Sequence, residues 1–509
     1  MSHQKRVGIA ALIWASSILL SRVIGLVREA VIGRTIGGDG TADVFWASFI
    51  LPDFLNYLLA GGALSIVFIP IFGTHLAEKN EEKGWESFWA ISSVLVLALG
   101  IIVPVLWLCM PWIVPLLTPG FSAEQFDHLI YLTRIILPAQ IFHLLGGLLS
   151  AALQARDKHA IPAIAPLVYT IGIIVGGVIG QNAAGFAWGA LIGSILGPFA
   201  LPLLANIKFG MQWRPTNGFI HPDAKTYLWR SLPIMLGFSI IMFDDWILKR
   251  EGSFLNDGAI SSLQYAKTLM RVPMGVFGLA VGAAVYPTLS RLIAEKKDPE
   301  AYQLLSDAVK RALILALGAQ VVLSVCGTEI AKVIYGNRLL EGQHEQIGTA
   351  LAWISIGLWA WAAQTIVARG FYARGNTWTP TLLGSGITAL AIPVYIYLRQ
   401  QNGIYGLAQA SSIAISTYVI VLMWWLQKIY QPSKPNHLLF FIRVVPATAV
   451  SIAIGLFVRP HVDIQYPFIK GALIGSLSGF IYIILILVFQ VQEAKEVLRK
   501  IQRKMNRKR

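Results

Sequence analysis

The sequence is a succession of apolar runs, each about as long as a bilayer span, joined by short polar segments. A membrane-crossing helix needs about 20 mostly apolar residues. About fourteen such helices fit within the 509 residues and leave only short loops. Charge separates this reading from a large soluble protein. Only 13% of residues are charged and 56% are apolar, whereas a soluble domain carries about 25% charged residues. That is too little charge to coat a soluble multidomain enzyme, and too much apolar content for a disordered or fibrous chain. The predicted fold class is therefore an all-α polytopic membrane protein with about 14 transmembrane helices.

The spans are expected near 7–33, 43–74, 86–116, 127–153, 160–179, 184–206, 227–248, 259–290, 312–335, 347–368, 379–398, 404–427, 443–458 and 469–490. Lys5 and Arg6 precede the apolar run from Val7 to Leu20, as in a signal peptide. No small-residue cleavage site follows and the helical pattern continues through Ser21–Gly25, so this run reads as the first span. The second and eighth spans are long and interrupted by Pro52, Pro70, Pro273 and Pro287. Such breaks persist in a membrane where protein or a watery cavity satisfies the freed backbone. Cys109 and Cys326 make no CxxC pair and read as small core residues.

Basic residues orient the map. Alternate segments, including both termini, hold 26 of the 41 lysines and arginines, and the intervening segments hold 6. The positive-inside rule puts the richer set, and both termini, in the cytoplasm. The net charge of +15 thus reflects topology. The basic tail Arg499–Arg509 suits anionic lipid headgroups rather than nucleic acid.

Nine basic residues fall within or at the edge of spans. Arg134, Arg230, Arg443 and Lys470 lie within a snorkel's reach of a span end, and Lys332 is expected to pair locally with Glu329. Arg22, Arg28, Lys267 and Arg271 lie deeper, where a charge costs about 2.5–3.5 kcal/mol on insertion scales. Arg22 and Arg28 flank Gly25, a position for a bend that would let both face a cavity. Lys267 and Arg271 are four apart and share a helical face, where they repel unless an anion lies between them. Arginine suits phosphate because its planar fork binds two oxygens at once. Span seven carries Asp244-Asp245, an intramembrane carboxylate pair that reads either as a proton or sodium site or as an Asp245–Lys249 pair at the outer rim.

An internal repeat organises the chain. Pro70 and Ala77-Glu78-Lys79 recur as Pro287 and Ala294-Glu295-Lys296, 217 residues later. Ala155-Arg156 and Pro162 recur as Ala373-Arg374 and Pro380, 218 residues later. Six spans separate equivalent positions, so the halves share orientation, a repeat class found in secondary transporters. The expected domains are an N-lobe over 1–208, a C-lobe over 209–430, and spans thirteen and fourteen with a basic tail over 431–509. No GxxxxGK[ST], HExxH or GxSxG occurs. The chain therefore reads as a transporter and not an enzyme. The candidate energy sources are a sodium ion, a proton or the membrane potential. The pattern Gly278-Leu-Ala-Val-Gly282 reads as a close-packing face.

A family resemblance sharpens this. The first two spans read Ser21-Arg22-Val23-Ile24-Gly25-Leu26-Val27-Arg28-Glu29, Thr41-Ala42-Asp43-Val44-Phe45, Leu51-Pro52-Asp53-Phe54-Leu55, Gly62-Ala63-Leu64-Ser65 and Phe68-Ile69-Pro70. Together with Ile161–Pro166, Pro273–Gly278, Gly370–Arg374 and Thr379-Pro380, they resemble the MurJ/MviN family of lipid II flippases, in the multidrug/oligosaccharidyl-lipid/polysaccharide transporter superfamily. The resemblance implies a bacterial inner-membrane flippase that moves undecaprenyl-pyrophosphate-linked peptidoglycan precursor outward by alternating access. It implies no cofactor, membrane lipids and the lipid-linked glycan as partners, candidate contacts with cell-wall enzymes, and a monomer. Arg22, Arg28 and Asp43 match charged family positions that line a cavity. One of Asp244 and Asp245 matches a sodium-binding aspartate, although its companions on span eleven are absent from Thr381–Ile396. The chain departs at Asn56-Tyr57, where many relatives carry two arginines, at Gly61, where an acid is usual, and at Ala266–Leu269, where Ala-Asp-Arg-Leu is common. Lys267 and Arg271 are expected to supply the C-lobe charge instead. Another polyprenyl-linked oligosaccharide remains the alternative cargo.

Overall fold

A computed structural model describes residues 3–60, 67–236, 240–431, 437–491 and 493–494. The Gly62–Ser65 motif and the basic tail Arg499–Arg509 lie outside the described residues. Among the described residues all regular structure is helical, as expected. Two compact units divide the chain.

The first unit comprises 1–237 together with 256–260. It contains α1 (His3–Ile36), α2 (Gly40–Ala47), α3 (Ile50–Ala60), α4 (Ile69–Ala77), α5 (Glu81–Leu117), α6 (Ala123–Ile136), α7 (Ala139–Ala155), α8 (Ala160–Gly180), α9 (Ala183–Ser194), α10 (Leu201–Lys208) and α11 (Pro222–Leu236). A π-helical stretch at Ile195–Ala200, which contains Pro198, links α9 to α10. Helices α8 and α9 pack through glycines. A Cβ on Gly176 would lie 2.4 Å from the Gly185 carbonyl oxygen and 2.6 Å from the Gly189 Cα. Only glycine permits backbones this close, the device by which membrane helices associate where lipid is as apolar as leucine.

The second unit comprises 238–255 and 261–509. Its helices are α12 (Ile240–Gly252), α13 (Ala259–Met274, whose first two residues belong to the first unit), α14 (Ala280–Ala294), α15 (Asp298–Tyr335), α16 (Gln343–Ser355), α17 (Leu358–Tyr372), α18 (Trp378–Tyr430), α19 (His437–Val458) and α20 (Pro467–Val488). A second π-helical stretch, Gly275–Leu279, follows Pro273 and joins α13 to α14. Pro273 has no N–H to donate and crowds the turn before it, and the π stretch begins two residues later.

Among the described residues eight helices are long and apolar enough to cross a membrane, or nine if α16 and α17, bent by 42°, count as one span. Of the remaining expected spans, the first is the continuous helix α1, and the second and eighth include shorter helices. The second is interrupted between α2 and α3, just before Pro52, and the eighth between α13 and α14, just after Pro273, whereas Pro287 lies within α14; residues 61–66, ahead of Pro70, lie outside the described residues. The seventh covers the end of α11 and the start of α12, and residues 237–239 between them lie outside the described residues. Helix α18 is continuous for 53 residues, or roughly 80 Å at 1.5 Å per residue, against a bilayer core of about 30 Å. It is two spans meeting at Gly403, whose φ of 54° and ψ of −129° are non-helical. This is where the sequence places the loop between spans eleven and twelve.

The sequence repeat has a backbone counterpart. Lys79 and Lys296, 217 residues apart, both adopt a left-handed conformation (φ 58° and 57°) just past a helix end. Lys79 N–H bonds Leu76 C=O and Asn80 N–H bonds His75 C=O; Lys296 and Lys297 repeat this with Ile293 and Leu292. Asp157 and Gly375, 218 apart, form the second pair, at φ 59° and 73°. Each cap satisfies carbonyls that the helix end leaves open.

Candidate functional site

In the first unit α1 runs through Gly25 without interruption. A Cβ at Gly25 would meet nothing within 4 Å, so the expected bend is replaced by open space beside a continuous helix. Arg22 and Arg28 are both half-buried on this helix. Six residues separate them, which is about 120° around the axis and ~9 Å along it. Arg28 Nη2 donates to Glu29 Oε1 at 2.5 Å, and the Glu29 side chain is buried. Asp53 and Tyr169 add to the electrostatic surroundings of Arg28. The ion pair is incomplete, since Arg28 Nε and Glu29 Oε2 are buried without hydrogen-bond partners. Adjacent helical residues point about 100° apart, so the guanidinium reaches Glu29 sideways and only one edge of its fork engages.

Asp43 is buried in the first turn of α2. Its Oδ2 accepts the backbone N–H of Gly258 at 2.8 Å. Gln125 donates to neighbouring Asp257 at 2.9 Å, and a Cβ on Gly40 would come within 2.9 Å of that carboxylate. Asp43 thus fastens the 256–260 segment within its own unit.

In the second unit the two expected cations and the two expected carboxylates come together. Lys267 Nζ donates to Asp244 Oδ2 and lies 2.5 Å from Asp245 Oδ1. Arg271 donates to Asp245 Oδ2. The Tyr395 hydroxyl donates to Asp244 Oδ1. Lys267, Asp244 and Tyr395 are all but fully buried, while Asp245 and Arg271 are partly accessible. Lys267 Nζ also stands 5.6 Å from the centre of the Trp361 ring. The anion that relieves repulsion between Lys267 and Arg271 is therefore the protein's own Asp244-Asp245 pair. Lys249 adds a further positive charge acting on Asp245. Among the described residues no three His, Cys, Asp or Glu side chains are grouped to hold a metal.

Other expectations resolve locally. Glu329 pairs with Arg459 at 3.0 Å instead of with Lys332, which is exposed. Arg134 lies over Trp107 at 4.3 Å and donates to its carbonyl.

The lipid II flippase MurJ family model matches residues 32–474. The chain belongs to that family. The MurJ family is one of transporters, and this chain is a polytopic membrane protein of it. Among its relatives, the lipid II flippase MurJ of Burkholderia cenocepacia is 29% identical over 453 residues, covering 85% of this chain and 86% of that one. The probable lipid II flippase MurJ of Vibrio cholerae is 27% identical over 439 residues, covering 81% of each. Among solved structures, a lipid II flippase MurJ in an inward closed conformation superposes with a TM-score of 0.76 at 23% identity, over 92% of this chain and 98% of that one. An inward-facing multidrug resistance transporter of the MATE family superposes at 0.68 with 13% identity, over 83% and 98%. These likenesses show the fold.

Against the MurJ family's pattern, two residues went unremarked in the sequence reading. Tyr395 stands on α18 within Thr381–Ile396, the stretch that lacks the family's asparagine and aspartate. A tyrosine in a membrane run reads as an interface anchor, so nothing marked it as a partner of Asp244. Arg369, in the last turn of α17, is half-buried with its guanidinium 5.8 Å from the centre of the Tyr286 ring. It read as loop charge because the span was expected to end at 368.

Proposed function

We propose that this chain flips lipid II, the undecaprenyl-pyrophosphate-linked peptidoglycan precursor, from the cytoplasmic to the outer leaflet of the bacterial inner membrane by alternating access. The observation that carries this is membership of the MurJ family over 32–474, joined to a half-buried arginine pair on the first membrane helix. A pyrophosphate at membrane depth needs cations that water does not already satisfy. Arg28, engaged along one edge by Glu29 and with Nε unpartnered, retains donors for a phosphate oxygen. The two relatives carry the words lipid II flippase in their names, which favours this cargo over another polyprenyl-linked glycan. The N-lobe over 1–208 and the C-lobe over 209–430 are the moving parts in this reading. Both termini are cytoplasmic, the protein acts as a monomer, and it hands its cargo to cell-wall enzymes outside.

The test is complementation of a flippase-depleted bacterium. The parent sequence should restore growth, and Arg28→Ala should not, while reaching the membrane in equal amount. Growth restored equally by both would remove Arg28 from the reading; growth restored by neither would remove the function.

A further inference from the structure

We infer that the buried carboxylate pair of this chain carries its own fixed cation, the Lys267 ammonium, in the place where an exchangeable sodium ion would otherwise neutralise it. The family resemblance implies a sodium-binding aspartate on span seven, and the residues present do not fit that ion.

Three observations argue this. First, each of the four carboxylate oxygens already faces a donor. Asp244 takes Lys267 on Oδ2 and Tyr395 on Oδ1, and Asp245 takes Lys267 on Oδ1 and Arg271 on Oδ2. Each oxygen keeps a second lone pair, but a sodium ion that reached it would sit beside an ammonium, guanidinium or hydroxyl hydrogen already on that oxygen. Second, the charge is balanced. Two aspartates meet one lysine and one arginine, so an added sodium ion would leave a net positive cluster among groups that are largely dry, with Lys249 beside it. Third, the ammonium is fully accommodated. Of its three protons, two meet the aspartates, and the Trp361 ring offers its face to the same group. Span eleven contributes the Tyr395 hydroxyl, a donor to Asp244 rather than another acid. Lysine is tethered and cannot leave with the transported cargo or exchange with the medium. If the proposed flipping is correct, it then runs without sodium as a co-substrate, and the cluster keeps the lobe's charge constant through the cycle.

Radioactive sodium binding to the purified full-length protein, with choline as the compensating cation, tests this independently of any transport activity. The parent should show no saturable sodium binding. Lys267→Gln removes the tethered cation and should show saturable sodium binding where the parent shows none. Lys267→Arg, which keeps the charge, should not. Adding Asp244→Asn to Lys267→Gln should abolish the gain. Saturable binding by the parent overturns the inference, as does a folded Lys267→Gln variant without the gain. Should that variant fail to fold, flipping by the parent in proteoliposomes decides. A rate unchanged within twofold when sodium is replaced by choline supports the inference, and a larger fall overturns it.

Discussion

Lys267 and Asp244 form an ion pair in which each side chain keeps no more than 3% of its exposure, on helices whose contributing residues are 23 apart in sequence. Burying two charges costs several kcal/mol each, which attraction and further hydrogen bonds must offset. Removing one partner is therefore the damaging change. Lys267→Gln in sodium-free buffer is expected to destabilise the protein by about 3–5 kcal/mol. Tyr395→Phe, which leaves only Asp244 Oδ1 short of a donor, should cost about 1–3 kcal/mol. Thermal unfolding in detergent ranks the two, and equal stability of parent and Lys267→Gln would show that the pair is not held as described.

A second contact predicts pH dependence. His75 at the end of α4 lies 2.8 Å from Asp223 in the first turn of α11, and the Ser87 hydroxyl of α5 donates to the same carboxylate. Burial works against the charged form of Asp223, but hydrogen bonds from Ser87 and His75 outweigh it and hold the carboxyl below its usual range. An acid whose pKa is depressed by folding contributes stability that is fully present above its unfolded value, about 3.9, and is lost as pH falls through the folded value. The group is partly exposed, so the contribution is about 1 kcal/mol or less. The difference in melting temperature between parent and Asp223→Asn should shrink as pH falls below about 4. A difference that persists unchanged into acid would assign the stabilisation to packing.

Glycine substitutions should separate sharply by site. Gly176→Ala places a methyl group against the backbone of α9, with no flexible side chain to move aside. Overpacking of this kind costs about 1–3 kcal/mol. Gly25→Ala meets open space on α1 and gains helix propensity, up to about 1 kcal/mol. Folded yield and melting temperature should fall for the first and hold or rise for the second. The reverse order would mean that α8 and α9 do not approach as closely as their glycines allow.

Much of this was legible in the sequence. Hydropathy and the uneven distribution of basic residues gave the helical membrane class, and the recurrence around Lys79 and Lys296 marked two helix caps that share one backbone conformation. These signals are local or periodic. The Asp244–Lys267 pair is neither, because its members belong to different helices and only packing selects which cation meets which acid. Tyr395, 151 residues from Asp244, is further still from any pattern. Taken alone, Lys267 and Arg271 point to an external anion, and Asp244-Asp245 either to an external cation or to a local Asp245–Lys249 pair. Each reading was reasonable alone, and the fold sets the two groups against each other.

Arg28 and Glu29 give the last prediction, because two roles for the arginine can be told apart. One role is structural: the guanidinium neutralises a buried carboxylate that would otherwise be costly. The other is the proposed one, in which the remaining donors hold phosphate oxygens. Under the structural role, Arg28→Gln should fail because Glu29 is left unpaired, and Arg28→Gln with Glu29→Gln should recover, since two amides need no counter-charge. Under the binding role the double variant inserts and folds yet does not flip, because the cation is gone. Arg28→Lys refines this. It keeps the charge and loses the planar fork, so flipping should fall about tenfold, equivalent to about 1.4 kcal/mol, while Arg28→Gln falls by far more. Flipping measured in proteoliposomes, alongside folded yield for each variant, makes the comparison. Recovery of transport in the double variant would reduce Arg28 to a partner for Glu29 and shift the search for the pyrophosphate's cation to Arg22.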